Sequence, residues 1–172
     1  MKITVYLAAS ANGLISNKRN VPDWLSDEYG QGFMTISQQT KAVIMGKTTY
    51  NKLAPDYLPL KNEGALVVLT HDTSAQPAQP NVVFTDKSAH DIVAMLESQG
   101  YSKAVIIGGT ATVSEFMKAR LVNELILVVE PVLFGAGLPL MNGLDDFESH
   151  MSLHDVKKLN DNTVQLHYRL TT

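Results

Sequence analysis

The chain has 172 residues, 45% of them hydrophobic and 18% charged, with a formal net charge of −3. This suits a single globular domain with a sizeable core, and gives no electrostatic reason to expect nucleic acid or an anionic membrane as partner. With no cysteine there is no disulfide, no thiolate metal site and no thiol nucleophile, a usage that agrees with a cytoplasmic protein.

The opening Met1 to Ala11 has the outline of a secretion signal, with a lone positive charge, an apolar stretch and an Ala-Ser-Ala end. Its apolar part is short and rich in β-formers, and it runs straight into Asn12-Gly13, so it reads as a strand over 3–9. No window approaches the ~18 apolar residues of a membrane span. The small residues ending this strand leave room for a flat ring against the backbone, and Gly13 permits a sharp turn. Trp24, the only tryptophan, sits before a helix expected from Asp27 to about Gln38 and suits equally stacking on a heteroaromatic ring or plugging the entry of the loop into that helix.

A second strand over 42–45 ends in Gly46, and Lys47, Thr48 and Thr49 open a helix reaching about Leu53. A cation, hydroxyls and helix-start N–H groups together suit a phosphate, and equally suit ordinary helix initiation. This is not a Walker-A loop, because Lys41 stands where the earlier glycine is required. Strands follow over 65–69 and 82–84, with a polar surface connection over 73–80 between them. A helix over 88–99 has Ser88 as cap, an apolar stripe through Ile92, Val93, Met95 and Leu96, and Gly100 as stop.

The run Ala104 to Ile107 breaks into Gly108-Gly109 and then Thr110, Ala111 and Thr112 at the start of a helix reaching about Ala119. A buried strand ending in two glycines lets a ligand approach the backbone, and the helix behind it offers free N–H groups to an anion. The Rossmann fingerprint fails here for want of a third glycine. A strand over 125–129 leads through Glu130 and Pro131 into a loop containing Phe134, Gly135 and Gly137, and alternating segments on either side of Asn160-Asp161-Asn162 predict an antiparallel hairpin. Near-continuous apolar strands alternating with helices predict an α/β domain with a largely parallel sheet covered on both faces. The histidines show no metal-ligand spacing, so no metal is expected.

In order, the motifs at 7–15, 43–50, 104–112 and 125–140 resemble the dihydrofolate-reductase-like fold, and more closely its branch containing the reductase domain of the bifunctional riboflavin-biosynthesis deaminase/reductase. The stretch Pro131-Val132-Leu133-Phe134-Gly135-Ala136-Gly137-Leu138-Pro139-Leu140 is its most specific part. The resemblance implies a three-layer α/β fold, a homodimer, and NADPH-dependent hydride transfer to a small heterocyclic or ribosylamine substrate. It places Ala9 and Ile15 beside the nicotinamide, the stretches Gly46 to Thr49 and Gly108 to Thr112 against the cofactor's phosphates, with Lys47 and Thr49 at the adenosine phosphate and Gly109 to Thr112 at the pyrophosphate, and Thr70 and His71 near the adenine. Asn12, Trp24, Tyr50 and Phe134 fall on the substrate side, with Glu130, which fold analogy turns toward the cleft between cofactor and substrate, Asp27 or a bound water as proton donor. The chain departs from the pattern in three places: Gly30 where folate reductases carry a carboxylate, Leu53 where the riboflavin reductases have an acid, and Asn12 in place of an aspartate. A catalytically silent ligand-binding relative and a dihydrofolate reductase proper stay open as alternatives.

Overall fold

The computed structural model describes every residue except Pro55, Asn62, Thr73, Ala75, Gln76, Ala78 and Thr172. Much of the expected connection over 73–80 therefore lies outside the described residues. The elements are β1 (Lys2–Ser10), β2 (Leu14–Asn17), α1 (Asp27–Thr40), β3 (Ala42–Gly46), α2 (Lys47–Leu53), β4 (Ala65–Leu69), β5 (Val82–Thr85), α3 (Ala89–Ser98), β6 (Lys103–Ile106), α4 (Thr110–Lys118), β7 (Glu124–Glu130), β8 (Gly137–Pro139), β9 (Met151–Lys158) and β10 (Val164–Leu170). An eight-stranded sheet runs β5-β4-β3-β6-β1-β7-β10-β9, parallel from β5 to β7 and antiparallel through the closing hairpin.

Strand alternation splits the core into two layers. Ile3, Val5 and Leu7 of β1 meet Ile92 and Leu96 of α3 and Val113 and Phe116 of α4 on one face. Tyr6 and Ala8 meet Phe33 of α1 and Tyr50 of α2 on the other. This period of two, with helices on both faces, is why the strands of the parallel part read as continuous apolar runs. Ser88 caps α3 as expected, its hydroxyl accepting from the Asp91 N–H at 3.2 Å.

One feature of the sheet architecture differs from the expectation. The glycine-flanked loop after β7 contains β8, which pairs antiparallel with β2 as a second small sheet. The pairing depends on close approach: a Cβ on Gly137 would lie 1.8 Å from the Ser16 carbonyl oxygen. The Thr110 hydroxyl at the start of α4 donates to the Pro139 carbonyl at 2.7 Å and ties this sheet to the main one.

The winding of the chain sets where a ligand can enter. It builds outward from β3 to β5, returns to β6 between β3 and β1, then crosses β1 to β7. Direction reverses around β3, β6 and β1, and open α/β sheets leave a crevice at such a reversal, beyond the carboxyl ends of the strands. Among the described residues no helix is long and apolar enough to cross a membrane.

Candidate functional site

A cleft of about 1280 Å³ opens at that reversal. Its floor is where the glycine-terminated strands β3 and β6 meet, with the Gly46 N–H donating to the Gly108 carbonyl at 3.2 Å. Gly108 and Gly109 both adopt positive φ, 148° and 64°, which opens the turn into α4. Gly109 gives α4 no side-chain cap, and the first backbone bond of the helix is Val113 N–H to Gly109 C=O at 3.1 Å. The preceding N–H groups, on Thr110, Ala111 and Thr112, therefore have no partner within the helix. A Cβ on Gly46 would meet Thr112 Oγ1 at 3.0 Å, and one on Gly108 would meet Thr49 Oγ1 at 3.0 Å. Two glycines and two threonines thus interlock into one cradle, whose free donors and positive helix end match a diphosphate.

Along the carboxyl ends of β4 and β5 the cleft continues past Thr70, His71, Thr85, Asp86 and Lys87. Lys47 lines it with its ammonium 3.4 Å from the centroid of the Phe84 ring, a cation–π contact that aims the side chain. The opposite end is apolar, walled by Trp24, Leu25, Tyr29, Phe33, Met34 and Leu58. Tyr29 stacks on Tyr6, ring centroids 5.2 Å apart, and the Tyr6 hydroxyl donates to the Tyr29 carbonyl at 3.1 Å. Burial pushes the Tyr6 phenol well above its ordinary range, with the Glu130 charge adding to it. Burial does the same for Tyr29, followed by the neighbouring Tyr6. Both phenols therefore remain hydrogen-bond donors at neutral pH.

Of the residues expected from the sequence, the cleft gathers Ile15, Trp24, Gly46, Lys47, Thr48, Thr49, Thr70, Gly108, Gly109, Thr110, Ala111 and Thr112. Others stand outside its lining. Ala9 is buried in β1, one residue beyond the lining Leu7 and Ala8. Tyr50 is buried in the core and packs edge-on against Phe84. Asn12 clasps the Phe134 backbone, donating to its carbonyl at 2.8 Å and accepting from its N–H at 3.1 Å, and Phe134 packs edge-on against Trp24. These two brace the aromatic wall from behind. Asp27 is exposed in the first turn of α1, where it favours the positive helix end.

Glu130 requires a correction of place. It does not line the large cleft: the residue is 1% exposed and borders a separate, smaller pocket. There it accepts from the Ser26 N–H at 3.0 Å, the Ser26 hydroxyl at 2.7 Å and the Thr163 hydroxyl at 3.1 Å. Ser26 is the N-cap of α1, and its oxygen also accepts from the Tyr29 N–H at 3.2 Å. Glu130 therefore joins β7, the N-terminus of α1 and the β9–β10 turn.

The sequence reading missed Tyr29, Phe33, Met34, Lys52 and Leu58, all of which line the cleft. A signal for two of them was present, since Tyr29 and Phe33 lie four apart on one face of α1.

Residues 1–165 match the family described as the RibD C-terminal domain. The uncharacterized protein YwjB of Bacillus subtilis is 31% identical over 172 residues, covering 97% of each chain. A putative riboflavin biosynthesis protein of Shewanella sp. PV-4 superposes with a TM-score of 0.82 at 22% identity, over 100% of both chains. A diaminohydroxyphosphoribosylaminopyrimidine deaminase/5-amino-6-(5-phosphoribosylamino)uracil reductase of Thermotoga maritima superposes at 0.79 with 18% identity, over 99% of this chain and 56% of that one. With a mostly parallel sheet between two helical layers and a match along nearly its whole length, the chain belongs to the RibD C-terminal domain family.

Proposed function

We propose that this chain is an NADPH-dependent reductase of the riboflavin-biosynthesis reductase type, which transfers a hydride to a small ring-bearing acceptor, heterocyclic or ribosylamine. What carries the reading is the convergence of two glycine-terminated strands on the uncapped start of α4, inside a cleft whose other end is aromatic. Family membership and the likeness to a protein described as a 5-amino-6-(5-phosphoribosylamino)uracil reductase support it.

The residues present fit the cofactor. Thr110, Ala111 and Thr112 N–H groups, with the Thr49 and Thr112 hydroxyls, would hold the diphosphate. Lys47 and Lys87 would face the adenosine phosphate. Leu7, Ala8 and Ile15 would form the surface under the nicotinamide. Bound there, NADPH supplies a hydride to an electron-poor ring. The chain itself orients the two ligands and keeps bulk water from the apolar end.

Calorimetric titration with NADPH and NADH tests this reading, with NADPH expected to bind more tightly. In Gly108→Ala, the added methyl meets Thr49 at a strained φ of 148°, and affinity is expected to fall at least tenfold while the far-ultraviolet spectrum is unchanged. No binding of either nucleotide at millimolar concentration would refute it.

We further propose that the chain pairs as a homodimer through β9. All of β9 is exposed at the sheet edge, with Met151 45%, Leu153 56% and Val156 51% exposed. Unpaired edges carrying apolar side chains recruit partners. Sedimentation is expected to show a dimer at micromolar concentration that Leu153→Lys dissociates; a monomeric wild type overturns this.

A further inference from the structure

The α1 wall of the cleft follows the helical repeat: Ser26, Tyr29, Gly30, Phe33 and Met34 line it, spaced three and four apart on one face. In that stripe Gly30 carries no side chain. It is half-buried and leaves a notch among larger neighbours at the apolar end of the cleft.

Two glycines stand in α1, and they have different causes. At Gly32 an added Cβ would lie 2.2 Å from the Tyr6 hydroxyl oxygen. Tyr6 is buried, stacks on Tyr29 and donates to its carbonyl, so it has little room to yield. Packing accounts for that glycine. At Gly30 an added Cβ would meet nothing within 4 Å. Its backbone is ordinary helix, with its N–H donating to the Ser26 carbonyl at 3.3 Å. Neither backbone conformation nor packing asks for glycine there. Glycine within a helix is nonetheless less stable than alanine, because it loses more backbone freedom on folding. The notch thus lowers stability without serving any contact of the free chain, and the space it keeps open belongs to the cleft. Stability is commonly sacrificed in this way where a ligand needs the room.

We propose that Gly30 is the specificity-determining position of the acceptor half: the flat ring of the acceptor lies against the α1 backbone there and fills the space of the missing side chain. This rests on the reductase reading above and names the surface that the acceptor ring takes. A ring in contact with bare helix backbone has no room for a methyl on the protein side, since a close-packed contact cannot absorb one without displacement. Position 30 therefore sets the clearance for the acceptor, and the glycine cradle at the other end of the cleft is independent of it.

The probe is 5-amino-6-(5-phosphoribosylamino)uracil, a ribosylamine with a flat pyrimidine ring, titrated by calorimetry into protein saturated with NADP⁺. In Gly30→Ala its affinity is expected to fall about tenfold, and further in Gly30→Leu, with NADP⁺ affinity unchanged in both. The Tm of the free Gly30→Ala protein is expected to rise by about 2–3 °C, whereas Gly32→Ala lowers it. Weaker acceptor binding by a more stable protein separates a ligand contact from structural damage. Unchanged probe affinity in both Gly30 variants, or a Tm at or below wild type in Gly30→Ala, overturns the inference and leaves the reductase reading standing. A loss of NADP⁺ affinity as large as that of the probe also overturns it, because the cofactor then occupies the notch. Wild-type protein that binds NADP⁺ but not the probe at millimolar concentration overturns it while the cofactor half survives. Absence of NADP⁺ binding overturns the reductase reading itself, and the inference with it.

Discussion

Replacing Glu130 separates a structural clamp from a proton donor. In Glu130→Ala the donors on Ser26 N, Ser26 Oγ and Thr163 Oγ1 lose a buried carboxylate that they reach at 3.0, 2.7 and 3.1 Å. Leaving a buried donor unmet costs about 1–3 kcal/mol each. The adjoining pocket of about 480 Å³ is open and admits water, so the expected loss is about 3–5 kcal/mol rather than the full sum. For a chain of this size that lowers Tm by about 10 °C. Glu130→Gln keeps an oxygen for Ser26 and turns its amide toward the Thr163 oxygen, which can accept; losing the charge assistance costs about 1–2 kcal/mol. Urea unfolding at pH 7 measures both variants, with the midpoint read at unchanged slope. An alanine variant within about 1 kcal/mol of wild type, or a glutamine variant as damaged as the alanine one, would refute the clamp.

Gly137→Ala drives a methyl against the Ser16 carbonyl and forces β8 off β2. A loss of about 2–3 kcal/mol is expected, and because Ile15, Ser16 and Leu138 line the cleft, nucleotide affinity measured by calorimetry should fall as well. Glu124 governs part of the acid limb. Burial alone would raise its carboxyl, but the Lys2 ammonium at 2.8 Å and His167 at 3.3 Å hold it below the ordinary range. A depressed folded value contributes stability above the unfolded value of about 4.3, lost as pH falls through the folded value. Urea midpoints at pH 7 and pH 3 are therefore expected to differ less in Glu124→Gln than in wild type; equal differences would contradict the assignment.

The parallel strands were legible because they are covered on both faces and so read as unbroken apolar runs, as in Ala65–Leu69. The small sheet was not. β2 and β8 have four and three residues, and β8 is Gly-Leu-Pro, whose pairing is set by a close backbone approach that no propensity records. The phosphate-suited half of the cleft was legible for the opposite reason: glycines and threonines at strand ends are local signals. The aromatic half depends on which face of α1 turns inward, and in a helix of sequence DEYGQGFMTISQQT the Tyr29/Phe33 pair is a weak signal among polar and glycine residues. Glu130 misled because a strand-end acid before proline reads as a cleft residue, while its partners Ser26 and Thr163 lie 104 and 33 residues away in sequence.

The join between the two halves lies in the unequal lengths of three neighbouring strands. β1 pairs with β6 only from Lys2 to Val5, but with β7 as far as Ser10. Past Val5 the side of β1 that faced β6 therefore has no strand beside it, and backbone groups there need partners that the sheet does not provide. β6 turns away at Gly108, whose positive φ directs the chain into α4 and opens the gap. Leu7 and Ala8 line the cleft at this gap, with the glycine cradle on one side and the Tyr29 wall on the other. A planar ligand laid along the open edge can meet strand backbone with its polar rim while its face rests on small side chains. The same gap brings the diphosphate end and the ring end of one elongated ligand within reach of a single strand, so lengthening the β1–β6 pairing would close both halves together. The cleft is thus a consequence of strand register, and the glycines at 108 and 109 are the residues that keep β6 short.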